Sequence, residues 1–186
     1  MIELGADIRR EAARALAHVK GGFNQAVSRS LNRTIDSLKS AAARETKQRY
    51  FVSVGEVKKS FALRKSTLNS LNAELISRGR RKSLKDYKLT PKAAPKHRKR
   101  DYVKGAVKRE GGLKPLPGAF LVKSRNGYRP VYRTGRGRYD LKGLASPAVP
   151  QIVKNEDTLK ALEQDAEQVF NKRMTHEVLR LLGAVP

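Results

Sequence analysis

The residues of this chain with the densest chemical character are cations. Arg78, Arg80, Arg81 and Lys82 fall within five positions, and Lys96, Arg98, Lys99 and Arg100 form a second group around His97. Neutralising phosphate requires many cations close together and no fixed spacing, so both groups are candidate contacts for double-stranded DNA or for an acidic neighbouring protein. The same residues also fit a solvated loop that its charge keeps from aggregating. Nothing beside them reads bases, since no helix-turn-helix, zinc-finger or aromatic RNP pattern accompanies the charge.

Chemistry of other kinds finds no foothold. His18, His97 and His176 lie far apart with no His-Glu-x-x-His or similar metal spacing. The chain has no cysteine, which removes thiol nucleophiles, disulfides, zinc fingers and iron–sulfur clusters. Glu163, Asp165 and Glu167 share a helical pattern with basic residues, where helix solubility accounts for them more simply than acid–base work. Gly135-Arg136-Gly137 has neither the spacing nor the strand-to-helix context of a phosphate loop and reads as a turn. No Gly-x-Ser-x-Gly elbow is present to anchor a hydrolase triad. The expectation is a protein with no catalytic residues, no bound metal and no cofactor.

Those cations need a scaffold, and 186 residues with 39% apolar content suffice for one domain with a buried core. Lys and Arg total 41 against 17 Asp and Glu, a formal net charge of +24. The charge is concentrated: residues 78–142 hold 22 Lys and Arg and four acidic residues. The longest apolar run, Ala119-Phe120-Leu121-Val122, falls far short of the roughly 20 residues a membrane helix needs, so a soluble protein without a membrane partner is expected. Charges at Glu3, Asp7, Arg9, Arg10, Glu11 and Arg14 occupy the place where a signal peptide needs an apolar core.

Periodicity divides the chain. Ile8, Ala12, Ala15, Leu16 and Val19 form one helical stripe, Gly21-Gly22 interrupts it, and Phe23, Val27, Leu31, Ile35, Leu38 and Ala42 form a second that fades near Tyr50. Ser53 and Glu56 have capping-box spacing, which predicts a short third helix carrying Val57 and Phe61 inward. Leu71, Ala73 and Leu75 alternate with polar residues as in a half-buried strand. Residues 77–100 read as an exposed β-ribbon or flexible arm that contributes nothing to the core. Strands are predicted over 102–107, 119–123 and 128–133, with Asn126-Gly127 making a tight hairpin between the last two. Gly and Pro density over 134–150 predicts an irregular connector. A terminal helix follows, capped by Asn155 or Asp157, with Leu159, Leu162, Ala166, Val169, Phe170, Met174, Val178 and Leu181 as its stripe and Gly183 closing it. The result is a single α+β domain over 1–186. It comprises a helical part (1–62), a basic β part built on a small antiparallel sheet (68–142) with a mobile arm near 78–100, a connector (143–154) and a C-terminal helix (155–183).

The order of segments resembles that of a known family. Val27-Ser28-Arg29-Ser30-Leu31-Asn32-Arg33-Thr34, Ala43-Arg44-Glu45-Thr46-Lys47-Gln48-Arg49-Tyr50 and Val57-Lys58-Lys59 are similar to the first half of the minor tail protein Z family of tailed phages and prophages. Ala119-Phe120, Asn126-Gly127, Val131-Tyr132-Arg133 and Leu144 to Pro150 ahead of a terminal helix resemble its closing pattern, and the likeness spans about residues 20–180. The resemblance implies a non-enzymatic tail-completion protein of the virion, assembled in the host cytoplasm. It implies a ring, commonly sixfold, at the head-proximal neck of a long tail. The ring would join tail to head through a tail terminator and head–tail connector proteins and let the genomic DNA pass. A monomeric, non-specific nucleic-acid-binding module is the competing expectation, for which net charge alone suffices; a nuclease has the least support. On this reading trypsin cuts the free protein first between Arg78 and Arg100, and early cutting after Lys160 or Lys172 counts against it.

Overall fold

The computed structural model describes residues 4–94, 102–125 and 127–184. Its frame is a pair of long helices, α2 (Gly22–Arg49) and α5 (Glu156–Leu181), with α1 (Ala6–Ala15) packed at one end and α3 (Val54–Ser60) and α4 (Val149–Val153) at the other. Gly21 adopts φ +68 at the start of α2, a left-handed conformation that separates α2 from α1. The stripes on either side of Gly21-Gly22 allow two long helices or one long kinked helix; the chain forms two, of which only α2 is long, α1 having ten residues.

Along α5 the fully buried positions Thr158, Leu162, Ala166, Phe170 and Met174 recur every four residues. On α2 the buried small residues Ala26, Ser30, Thr34, Ala42 and Thr46 fall at multiples of four along one stripe. Small side chains let the two backbones approach, and the two threonines among them are satisfied within the helix: Thr34 Oγ1 donates to the Ser30 carbonyl at 2.8 Å and Thr46 Oγ1 to the Ala42 carbonyl at 2.6 Å. Ser30 Oγ lies 3.7 Å from Met174 Sδ across the pair. Leu31 shares a core with Phe170 and Met174, while Ala41–Ala43 share another with Leu162, so the helices run antiparallel and span both cores.

Local signals set the helix ends. Ser53 Oγ accepts from the Glu56 amide, starting α3 as its spacing predicts. Asn155, rather than Asp157, caps α5 by accepting from the Asp157 amide. Gln151 Oε1 accepts from the Ala148 amide at the start of α4. A salt bridge of 3.1 Å between Arg49 and Asp157 ties the end of α2 to the start of α5.

Among the described residues the β part forms four small antiparallel sheets where one was expected. They pair β1 (Phe61–Arg64) with β2 (Glu74–Ser77), β3 (Lys82–Ser83) with β10 (Ala145–Ser146), β4 (Lys88–Thr90) with β5 (Lys104–Ala106) and β6 (Lys114–Pro115), and β7 (Phe120–Ser124) with β8 (Gly127–Arg133) and β9 (Leu141–Gly143). The expected hairpin is present, its strands paired from Phe120↔Val131 to Ser124↔Gly127, with Gly127 at φ +91.

Three other expectations change. The strand read at Leu71–Leu75 lies at Glu74–Ser77, and its partner, β1, follows α3 directly in a stretch of four residues too short to show a period. The segment 77–100 does contribute to the core: Leu84, Tyr87 and Leu89 are buried among Val57, Val103 and Ile152, three apolar residues that surrounding lysines and arginines hide in any compositional average. Residues 134–150 hold β9 and β10, which are held by backbone pairing and carry no hydrophobic pattern to announce them.

Two outcomes follow from this packing. Phe170→Ala, at a fully buried position, is expected to cost about 3–5 kcal/mol in urea unfolding, whereas Leu159→Ala, 38% exposed on the same helix, stays within about 0.5 kcal/mol. Because Lys85 and Lys88 flank the buried Leu84, Tyr87 and Leu89, timed trypsin digestion followed by mass spectrometry should show cleavage at these two sites trailing cleavage after the exposed Arg78, Arg80 and Arg81.

Candidate polyanion-binding surface

Arg78, Arg80 and Arg81 lie exposed in the connection between β2 and β3, anchored by the Arg78 amide donating to the Ser60 carbonyl at 2.8 Å. Lys82 differs from its neighbours. It is half-buried in β3, and its Nζ pairs with the Glu56 carboxylate, so its charge is already matched within the protomer. Lys96, Arg98, Lys99 and Arg100 lie outside the described residues.

A second concentration of cations forms where the β part meets the end of α2. Here the chain after β5 runs beside the chain leaving α2: the Phe51 amide donates to the Val107 carbonyl and the Arg109 amide to the Arg49 carbonyl, each at 2.8 Å. This pairing sets Arg109 against the Phe51 ring, its guanidinium carbon 4.7 Å from the ring centre, while Arg109 Nε donates to the Lys47 carbonyl in the last turn of α2. Lys88 reaches the same ring from β4, with Nζ 4.8 Å from the centre. Two cations converge on one aromatic side chain.

Around them opens a groove of about 850 Å³ whose wall carries Lys85, Lys88, Lys92, Arg109, Tyr87 and Tyr128, with Asp86 its one acidic residue among the described residues. A smaller depression beside it, lined by Arg44, Lys47, Gln48, Val54 and Arg109, shares Arg109 with the first. Tyr87 forms the groove's firm edge: its hydroxyl donates to the Pro147 carbonyl at 2.8 Å, tying the groove to the segment leading into α4. Burial, reinforced by the negative charges of Glu56 and Asp86 and by Tyr50, pushes its phenol up to about 12.

Chemically, this arrangement can attract phosphates or carboxylates and hold them against partly ordered cations. Among the described residues no group of three or more His, Asp or Glu gathers where a metal ion would sit. His18 is exposed in the turn between α1 and α2, and His176 is exposed on α5. Gly135 and Gly137 close a turn around Asp140, whose Oδ2 accepts from the Gly137 amide at 3.1 Å. Among the described residues no helix is long and apolar enough to cross a membrane. The Phe51 groove was not legible along the sequence because its cations come from two separated segments, Lys85 to Lys92 and Arg109, that meet at Phe51. The only local hint is the aromatic Phe51 after a helix ending in Lys47 and Arg49.

The chain matches the family described as prophage minor tail protein Z over residues 9–185, nearly its whole length. No curated protein and no solved structure gives a significant match.

Tyr87 supplies a pH test. Between its ordinary value of 10.0 and about 12 the unfolded chain has released the phenolic proton while the folded chain retains it. The folded state then binds more protons, so this contribution is complete below pH 10 and is lost as pH rises through the window. Tyr87→Phe should lose about 1 kcal/mol at neutral pH, having no hydroxyl for the Pro147 carbonyl. Urea unfolding should also show a shallower loss of stability between pH 10 and 12 than in the parent.

Proposed function

We propose, starting from the fact that this chain belongs to the prophage minor tail protein Z family, that it completes a long phage tail as a ring at the tail's head-proximal end. It is a structural component of the phage tail. In the finer reading proposed here, protomers close the ring side by side, six being the number the resemblance implies. The ring meets the tail terminator and head–tail connector proteins, and the genomic DNA passes or halts in its lumen. The action is geometric and not catalytic: contacts between copies close on rotation and present one surface to the tail and another to the head.

The observation that carries this reading is the extent of the family match, from α1 to the end of α5, which takes in both cores and all four sheets. The charge distribution supports it. Residues 78–142 carry 22 Lys and Arg against four acidic residues, and such a segment attracts duplex phosphates without reading bases, as a conduit for any genome sequence requires. Exposed Arg78, Arg80 and Arg81 belong to that segment.

The rival is a monomeric nucleic-acid-binding module, favoured by net charge alone. Light scattering of the chain at high concentration, together with a joining assay on purified tails that lack it, separates the two. Self-association or incorporation into the tails, with recovery of head attachment, is the expected result; a chain that stays monomeric and leaves the tails unjoined removes the ring reading. For the DNA component, neutralising Arg98, Lys99 and Arg100 together should weaken binding to every duplex about equally and lower the salt slope by roughly one unit for each phosphate no longer neutralised. Unchanged duplex binding combined with failure to join tails assigns the cluster to a protein partner instead.

A further inference from the structure

The groove beside Phe51 has a complement on the same chain. Glu156 to Glu167, the first half of α5, holds five acidic residues and one lysine, and no other twelve-residue window of this strongly basic sequence is as negative. Glu156, Glu163 and Glu167 are exposed, and their spacing places them on one face of the helix. Leu159, 38% exposed, stands beside them. Among the described residues these three glutamates form no ion pair, and neither do Lys88, Lys92 or Arg109 in the groove. Glu156, Glu163 and Glu167 on one surface and Lys88, Lys92 and Arg109 on another are thus left without an ion-pair partner within one protomer among the described residues.

We infer that the Phe51 groove docks a second copy of this chain, receiving the acidic face of the neighbour's α5. This rests on the self-association proposed above and names the surfaces that perform it. Two physical arguments favour a copy over DNA as the occupant, and a third eases the binding of any anionic partner. Copies that each carry +24 repel one another, so close packing requires contacts of opposite sign at the interface, and the first half of α5 is where the chain concentrates negative charge. The groove is also not purely ionic: Phe51, Val52 and Leu89 line it, which suits an apolar anchor such as Leu159 and offers a phosphate backbone nothing. Finally, Lys88 and Arg109 are already held against the Phe51 ring, so less side-chain freedom is surrendered when carboxylates arrive.

The test is reciprocal charge reversal on the full chain. One variant carries Glu163→Lys and Glu167→Lys, the other Lys88→Glu and Lys92→Glu; all four positions are exposed, and circular dichroism checks that both variants fold. Sedimentation velocity and the tail-joining assay are then run on the parent, each variant and an equimolar mixture. Each variant alone should associate at least about tenfold more weakly than the parent. The mixture should recover, because every contact between unlike copies then sets opposite charges together. The milder Glu163→Gln and Lys92→Gln should weaken association in the same direction. Parent-like association by the α5 variant, or a mixture as dissociated as its components, overturns the inference while leaving tail completion standing. So does a groove variant that loses affinity for a random-sequence duplex yet associates normally, since that outcome assigns the groove to DNA. A parent that neither associates nor joins tails overturns tail completion and this inference with it.

Discussion

The close packing of α2 against α5 is the constraint from which the other features follow. Small residues on α2 at Ala26, Ser30, Thr34 and Ala42 allow the approach, and the four-residue repeat on α5 from Thr158 to Met174 fills it. Because the pair runs through both cores, it fixes the distance between the α1 end and the end where the β part docks. The sheets themselves are too small to stand alone: strands of two to seven residues in separate ladders gain stability by laying Phe61, Leu89, Ala106 and Val131 inward. The helix pair is thus the rigid body, and the basic surface is mounted on it.

Placing the cations at the end of that body has an electrostatic consequence. Arg109 interacts with the last turn of α2 through the Lys47 carbonyl, where the helix dipole favours positive charge, and Phe51 holds Arg109 and Lys88 in place. Lys82 is treated differently, matched by Glu56 beneath the exposed arginines. The chain thus separates cations used to hold the fold together from cations displayed outward, a distinction that net charge conceals.

What could be read in the sequence depended on the range of the signal. Long periodic stripes gave α1, α2 and α5 and most of their inward residues, Leu159 being the exception at 38% exposed, and local chemistry gave the Ser53 start of α3 and the hairpin into Gly127, Asn126 lying outside the described residues. Phe61–Arg64 and the two-residue strands were illegible because pairing fixes them and side-chain pattern does not. Leu84, Tyr87 and Leu89 were missed for a related reason: in a window dominated by Lys and Arg, three inward residues leave composition almost unchanged, although their side chains close the larger core. The Phe51 groove is assembled from the chain leaving α2, the segment around β4, the chain after β5 and the start of β8, so nothing along the sequence joins Lys88 to Arg109. The charged segment 78–142 was visible as a quantity, but its division into matched and displayed cations required the fold.

Tail completion at the head-proximal end makes a prediction about position that solution binding does not address. Electron microscopy of purified tails labelled with a gold-conjugated antibody against this chain tests it directly. Label confined to the head-proximal end of each tail is the result expected; label spread along the tube, or gathered at the distal tip, would contradict it.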